Sequence, residues 1–397
     1  MAQATLRLLS GIKVLSFTQF LLGPVAVQYL SDLGADVIKI EPPNGAFERG
    51  WSGPDAFLNG VSVFFLASHR NARDLTLNLK HPAGQAIARK LAAGADVLVQ
   101  NFRPGVMERM GLGYEDVRKV NPRIIYAVAS GYGSDSPFRD LPGQDLLMQA
   151  LSGLIAITGR AGEPPVAPGS TIVDHHCATL LAMGILAALF HRERTGEGQR
   201  VEIAMLRGAL DLQVEPLTFF LNGTTIERPE ERLATSYHGA PYGVYQTKDG
   251  YIVLALNPIK TIRQALGGLP ELEPYEDPHL AFQKKNEIRR ILDPCFKQWT
   301  SDEAVSLLQG CGVWCARVNN YEQALADPAV RFLDPIIEVD HPQAGKLKLV
   351  KHPVTYSSGE PELQRVPPSL GEHTDEILGE LGLTAEEIRG LRDEGAI

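Results

Sequence analysis

Strand-like and helix-like runs alternate through the first third of the chain. GIKVLSF reads as a β-branched strand, GPVAVQYLSDLG as a helix and ADVIKIEPP as a second strand ending at Glu41. NARDLTLNL adds a strand, HPAGQAIARKLAAG a helix, ADVLVQNF a strand, Tyr114–Val120 a helix and PRIIYAVASGYG another strand. Such alternation predicts an α/β protein with a doubly wound parallel sheet, whose ligands bind outside the carboxyl ends of the strands. The turn after the first strand, SFTQFLLGP, lacks the G-x-G-x-x-G of dinucleotide sites, and no G-x-x-x-x-G-K-[ST] occurs anywhere. NAD, FAD and P-loop nucleotide chemistry are therefore not expected.

With 397 residues the chain has room for a second domain. Its composition changes near Glu215, where turn residues replace long helices, and VYQTKDGYIVLAL then reads as a hairpin with Asp-Gly at its turn. Helical charged segments follow to Ala324. The tail is strand-like from Ile336 and closes with two short helices in PSLGEHTDEILGELGLTAEEIRGLRDEG. The expected organisation is a large Rossmann-like domain over 1–213, a smaller α+β domain over 214–324, and a return segment over 325–397 that completes the large domain. A net charge of −9 gives no support to nucleic-acid or membrane partners. Four cysteines do not make a disulfide framework in a chain this long, and the N-terminus has no cleavable signal pattern, so a cytoplasmic protein is expected. The apolar run Ala178–Phe190 is short for a bilayer and is expected to be a buried helix.

That run follows the most informative stretch, EPPVAPGSTIVDHHCATLLAM. Thr171, Ile172 and Val173 read as a short strand, and Asp174 as a residue at the junction with the helix. Its carboxylate can be an ordinary N-cap or a nucleophile. Neighbouring His175, His176 and Cys177 point in different directions on a helix, unlike i, i+4 metal pairs, so no metal site is expected. Cys311 and Cys315 are expected to be core residues, and HRERTGEGQR a solvated helix end whose cations complement the dipole. Lys80, Asn101, Arg103 and Arg109 fall at expected strand ends or helix starts, where a phosphate-bearing ligand would sit.

Taken together, GIKVLSFTQFLLGP, LGADVIKIEPP, NARDLTLNLKHPAG, ADVLVQNFRPGVMERMGLGYED, SGYGSDSP, the Asp174 region through HRERTGEGQRVEIAM, and LGEHTDEILGELGL resemble the family III CoA-transferases, in the family's order along the whole chain. The resemblance implies that Asp174 is the nucleophile. It would attack an acyl-CoA thioester to give a mixed anhydride, then an aspartyl-CoA thioester, without ATP. The aspartate must be ionised to attack, which a helix N-terminus would favour. Implied CoA contacts are Phe20, Leu22, Leu77, Lys80, Asn101, Phe102, Arg103, Arg109 and Met205, with Lys80 and Arg109 meeting phosphates. Asp145 takes the place of an acidic residue beside the nucleophile. CoA and acyl-CoA are substrates, no permanently bound cofactor or metal is expected, and an interlocked homodimer is implied.

Two other readings share the fold. The α-methylacyl-CoA racemases carry a catalytic His in a Gly-His-Asp context thirty residues before the Asp; here Gln144 stands there, in PGQDLLMQ, and cannot transfer a proton at neutral pH. A non-catalytic acyl-CoA-binding protein would bind CoA without turnover. The chain departs from formyl-CoA transferase at Leu21, Pro42 and Pro142, and HGAPYGVYQTKDG offers no glycine run over the site. These departures weigh against oxalate or formate, and the overall pattern resembles transferases of dicarboxylic acids such as succinate or glutarate.

Overall fold

The structure, a computed structural model, describes residues 5–397. Six parallel strands form its main sheet: β1 (Lys13–Phe17), β2 (Asp36–Glu41), β3 (Ala72–Thr76), β4 (Val97–Gln100), β5 (Ile125–Ser130) and β6 (Gln199–Ala204). Their spatial order is β3-β2-β1-β4-β5-β6, so the winding reverses between β1 and β4. Such a reversal opens a crevice at the carboxyl ends of the two strands. The central strands are buried on both faces, which is why VLSF, VLVQ and IYAVA read as nearly continuous apolar runs rather than alternating ones.

Helices cover both faces. α1 (Leu22–Asp32) follows β1, and α2 (Pro82–Ala93) follows β3. α2 starts with Pro82 behind a capping His81 and buries Gly84, Ile87, Ala88, Leu91 and Ala92, a helical stripe that packs on Leu75, Leu98 and Tyr126. α3 (Tyr114–Val120) precedes β5, and α4 (Asp145–Leu151) follows it. α5 (Ile172–Thr195) leads into β6, which passes directly into α6 (Met205–Asp211).

α5 is longer than expected and begins earlier. Thr171–Val173 is not a strand: Ile172 and Val173 form the first helical positions, with Val173 fully buried, so packing overrides β propensity. Val173, Cys177, Leu181, Ile185, Leu189 and Arg192 form the buried side, whereas Met183 and Phe190 are mostly exposed, so the helix is half-buried rather than buried all round. At 24 residues it is long enough to cross a membrane by length and composition, yet its inner side packs on α1, β5 and β6. Its end is not wholly solvated either. Arg192 is buried against Asp96 at 2.9 Å, and Gly196 closes the helix in the left-handed conformation (φ 81°).

The chain divides into two compact units. The first comprises Met1–Met148, Thr171–Ala209 and Asp334–Ile397; the second comprises Gln149–Ser170 and Leu210–Leu333. This division differs from the expected boundaries at 213/214 and 324/325 in three places, one of them the grouping of Leu210–Gln213 with the second unit. Residues 149–170 group with the second unit, where Ala161 N–H donates to the Pro229 carbonyl (2.9 Å) and Arg228 to that of Glu163 (2.6 Å). The short helix Pro328–Leu333 also belongs there, following directly on Tyr321–Ala326.

In the second unit β7 (Gly243–Gln246) and β8 (Tyr251–Leu254) form the hairpin expected around Asp249-Gly250, and β9 (Cys315–Arg317) pairs with β8. α7 (Lys285–Phe296) and α8 (Ser301–Gly310) supply Ile288, Leu292, Phe296, Ala304 and Leu308 to its core. Cys315 packs against that core, but Cys311 is exposed beyond the end of α8, contrary to the expected core role. The return segment contributes a hairpin, β10 (Ile336–His341) with β11 (Gly345–Val350), and the helices α9 (Thr374–Glu380) and α10 (Ala385–Asp393) to the first unit. Ile377, Leu378 and Ile388 enter the core that Leu75 and Leu98 share.

Candidate active site

Apart from Arg109, the expected site residues follow a sheet strand's carboxyl end or lie at or just before the first turn of a helix. The loop Thr18–Leu21 leaves β1, and Asn101 leaves β4, the two strands that flank the reversal. Asn101 joins them: its Oδ1 accepts from Gln19 N–H (2.9 Å), and its Nδ2 donates to the Gln19 carbonyl (2.8 Å). A side chain at Gly23 would place its Cβ 2.6 Å from Thr18 Cβ and 3.2 Å from Asn101 Cγ, so glycine permits the close meeting of both loops with α1. Phe20 holds φ 62°, uncommon for a bulky residue, and its ring is 44% exposed beside Phe47 (5.3 Å between centroids), which stacks on Trp51 (5.9 Å).

The start of α1 has no side-chain cap and no acidic residue in its first turn, leaving a positive helix end at the crevice. Leu22 and Leu77 are buried, and Met205, the first residue of α6, is 6% exposed. They pack beneath the edge. Phe102 is half-buried. Lys80, Arg103 and Arg109 are exposed and form no ion pair among the described residues. Arg109 ends, rather than starts, the short helix Val106–Arg109; its guanidinium lies over Gly105, where an added Cβ would be 3.0 Å away. Three unneutralised cations on an acidic chain suit a polyanionic ligand.

Asp174 is neither the N-cap of α5 nor part of a capping box. It is the third helical residue; Thr171 occupies the cap position and makes no side-chain cap bond. Asp145 supplies the missing acceptor: its Oδ2 takes the Asp174 backbone N–H at 2.9 Å. The ordinary capping role thus falls to a residue from α4, and the Asp174 carboxylate accepts no hydrogen bond among the described residues. Burial and the facing Asp145 charge push the Asp174 carboxyl up to about 7, so burial and repulsion outweigh the helix end that was expected to keep it acidic. Asp145 is 7% exposed, and Gln144 is exposed, its carbonyl accepting from Met148 N–H. Cys177, one turn on, is buried and points its thiol at the Met205 carbonyl (3.9 Å). No group of three metal-ligating side chains occurs among the described residues.

Comparison with known proteins places this arrangement. Residues 9–374 match CoA-transferase family III. The succinyl-CoA:glutarate CoA-transferase of Mus musculus is 35% identical over 98% of this chain and 88% of its own length. The formyl-CoA:oxalate CoA-transferase of Streptomyces coelicolor is 32% identical over 99% of this chain and all of its own. A crystal structure of a CAIB/BAIF family protein from Brucella suis superposes with a TM-score of 0.84 at 27% identity, covering 95% of this chain and all of that one. The chain belongs to CoA-transferase family III. It is an enzyme that moves CoA from an acyl-CoA to a free carboxylic acid.

Proposed function

We propose that Asp174 carries the acyl and CoA groups in turn, and that the acceptor is a small dicarboxylate. The observation that supports this most is the uncommitted, half-buried Asp174 carboxyl at the sheet edge, with its own N–H already capped by Asp145. One Asp174 oxygen attacks the donor thioester carbonyl, the C–S bond breaks, and CoA leaves as thiolate with a mixed anhydride in place. The thiolate attacks the aspartyl carbonyl, expels the donor carboxylate and leaves an aspartyl-CoA thioester. The acceptor carboxylate attacks that thioester, and the released thiolate then attacks the acceptor's acyl carbon, giving the new acyl-CoA and free Asp174. Both intermediates hydrolyse in water, which the site must exclude.

Lys80 and Arg109 would meet the CoA phosphates, with Arg103 and the α1 start beside them, while Phe20, Leu22, Leu77, Asn101, Phe102 and Met205 shape the rest of the CoA face. A dicarboxylate acceptor is supported by the names of the relatives, which include glutarate, D-citramalate and L-malate transferases. An interlocked homodimer is supported by the apolar residues the single chain leaves exposed, among them Met183 and Phe190 on α5. The test is a CoA exchange assay with succinyl-CoA against a panel of mono- and dicarboxylates. The reading expects glutarate or a similar dicarboxylate to outpace acetate and formate by at least tenfold, with no exchange of the α-proton into solvent. Formate or acetate as the better acceptor would overturn the dicarboxylate assignment, and α-proton exchange would favour the racemase reading.

A further inference from the structure

Gly131 and Gly143 cross with no room for a side chain. Gly131 follows β5 directly, and Gly143 lies two residues before Asp145. A Cβ built on Gly143 would be 2.5 Å from Gly131 Cα, and one on Gly131 would be 2.8 Å from Gly143 Cα. Neither has positive φ, so contact rather than backbone conformation demands glycine. The crossing belongs to a closed circuit. Gly143 leads to Asp145, whose carboxylate caps Asp174; one turn along α5, Cys177 donates to the Met205 carbonyl; and Leu206 N–H donates to the Gly131 carbonyl at 3.0 Å. Each link sets where the first turn of α5 stands relative to the ends of β5 and β6.

We propose that Gly131 and Gly143 are positioning residues for the reaction: their backbone crossing seats Asp145 and, through it, the α5 turn that carries Asp174. This rests on Asp174 being the nucleophile. An added methyl must part the two segments by about an ångström before ordinary contact is restored, and a displacement of that size at a reacting group costs on the order of 100-fold in rate. Neither glycine is among the expected CoA contacts, so donor affinity should be untouched.

The test is rapid mixing with succinyl-CoA, following the hydroxylamine-sensitive CoA adduct by intact mass, in the full-length protein. Gly143→Ala should slow adduct formation at least tenfold while the donor concentration for half-maximal rate changes less than twofold. Gly131→Ala, the milder clash, gives an independent reading of the same kind. Gly198→Ala is the control. Its Cβ would be 2.3 Å from the Ile124 carbonyl oxygen, beyond the C-terminal end of α5 and away from Asp174, so it should lower Tm and leave the adduct rate per folded molecule unchanged. The proposal is overturned if both crossing variants form adduct within twofold of the wild-type rate, or if Gly198→Ala slows it equally. If the wild type forms no adduct on Asp174, the nucleophile reading fails first and the positioning role falls with it.

Discussion

Asp174 is the residue on which the chemistry turns, and its pKa of about 7 makes that testable by pH. Attack needs the carboxylate, so the rate of adduct formation should rise roughly tenfold per unit below pH 7 and level off above it. Asp145→Asn removes the facing charge while leaving a carbonyl oxygen to accept the Asp174 N–H, so the acid limb should move to lower pH. An unmoved limb would mean that burial alone sets the pKa. Stability carries the opposite sign. A carboxyl whose pKa is raised on folding holds its proton longer in the native state, so stability is lost as pH climbs from about 4 to about 7. Asp174→Asn should therefore raise Tm by a few degrees at pH 8 and by less at pH 5, while abolishing turnover. Residue pattern by itself left Asp174 between cap and nucleophile, and the family resemblance made it the nucleophile. Its spacing from Asp145 is ordinary, and nothing local reveals that a residue 29 positions earlier does the capping.

At the level of elements, two close meetings hold the site. α6 approaches α5 because Gly208 has no side chain: an added Cβ would be 2.3 Å from Cys177 Sγ but 3.8 Å from Cys177 Cβ. Gly208→Ala should cost about 1–3 kcal/mol by overpacking. Cys177→Ala in the same chain removes the obstructing sulfur, so the double variant should recover most of that loss in urea unfolding; additive losses would refute the contact as the cause. The second is the loop after β2. Arg49 bonds Glu41 through Nε and Nη2 (2.8–3.0 Å), reaches Asp74 on β3 at 3.1 Å and the Pro368 carbonyl at 3.1 Å, and so ties the Phe47–Trp51 loop to two strands and the return segment. Glu41 is held well below the carboxylate range by Lys39 and Arg49 against the cost of burial, while burial and Glu41 raise Asp74 to about 8. Arg49→Ala strands a buried charge and should cost about 3–5 kcal/mol, measured by urea unfolding. The strands and helices themselves were legible, because buried parallel strands and amphipathic helices leave distinct periods. The start of α5 was not: Thr171-Ile172-Val173 has strand chemistry, and only the core beneath Val173 makes it helical. Arg109 misled for a related reason, since a four-residue helix has no period from which its ends can be read.

For the whole molecule, the sequence carried the order of the parts better than their boundaries. The return of α9 and α10 to the first unit follows from apolar residues that a two-helix tail cannot bury by itself. Residues 149–170 could not be assigned in this way, because backbone hydrogen bonds to Pro229 and to the Arg228 side chain, invisible in a one-dimensional pattern, fix their allegiance. The exposed apolar residues Met183 and Phe190 belong to this scale too. Sedimentation should give twice the 43.3 kDa chain mass, and replacing both with Glu should shift the protein toward monomer and lower activity together. A wild-type monomer with full activity would contradict the interlocked arrangement. The most direct measurement remains intact-mass analysis of the whole protein after mixing with succinyl-CoA, with and without hydroxylamine, beside Asp174→Ala. The account predicts a CoA-sized adduct that hydroxylamine discharges and the variant never forms. Full transferase turnover by Asp174→Ala, or an adduct that persists in it, would contradict the account.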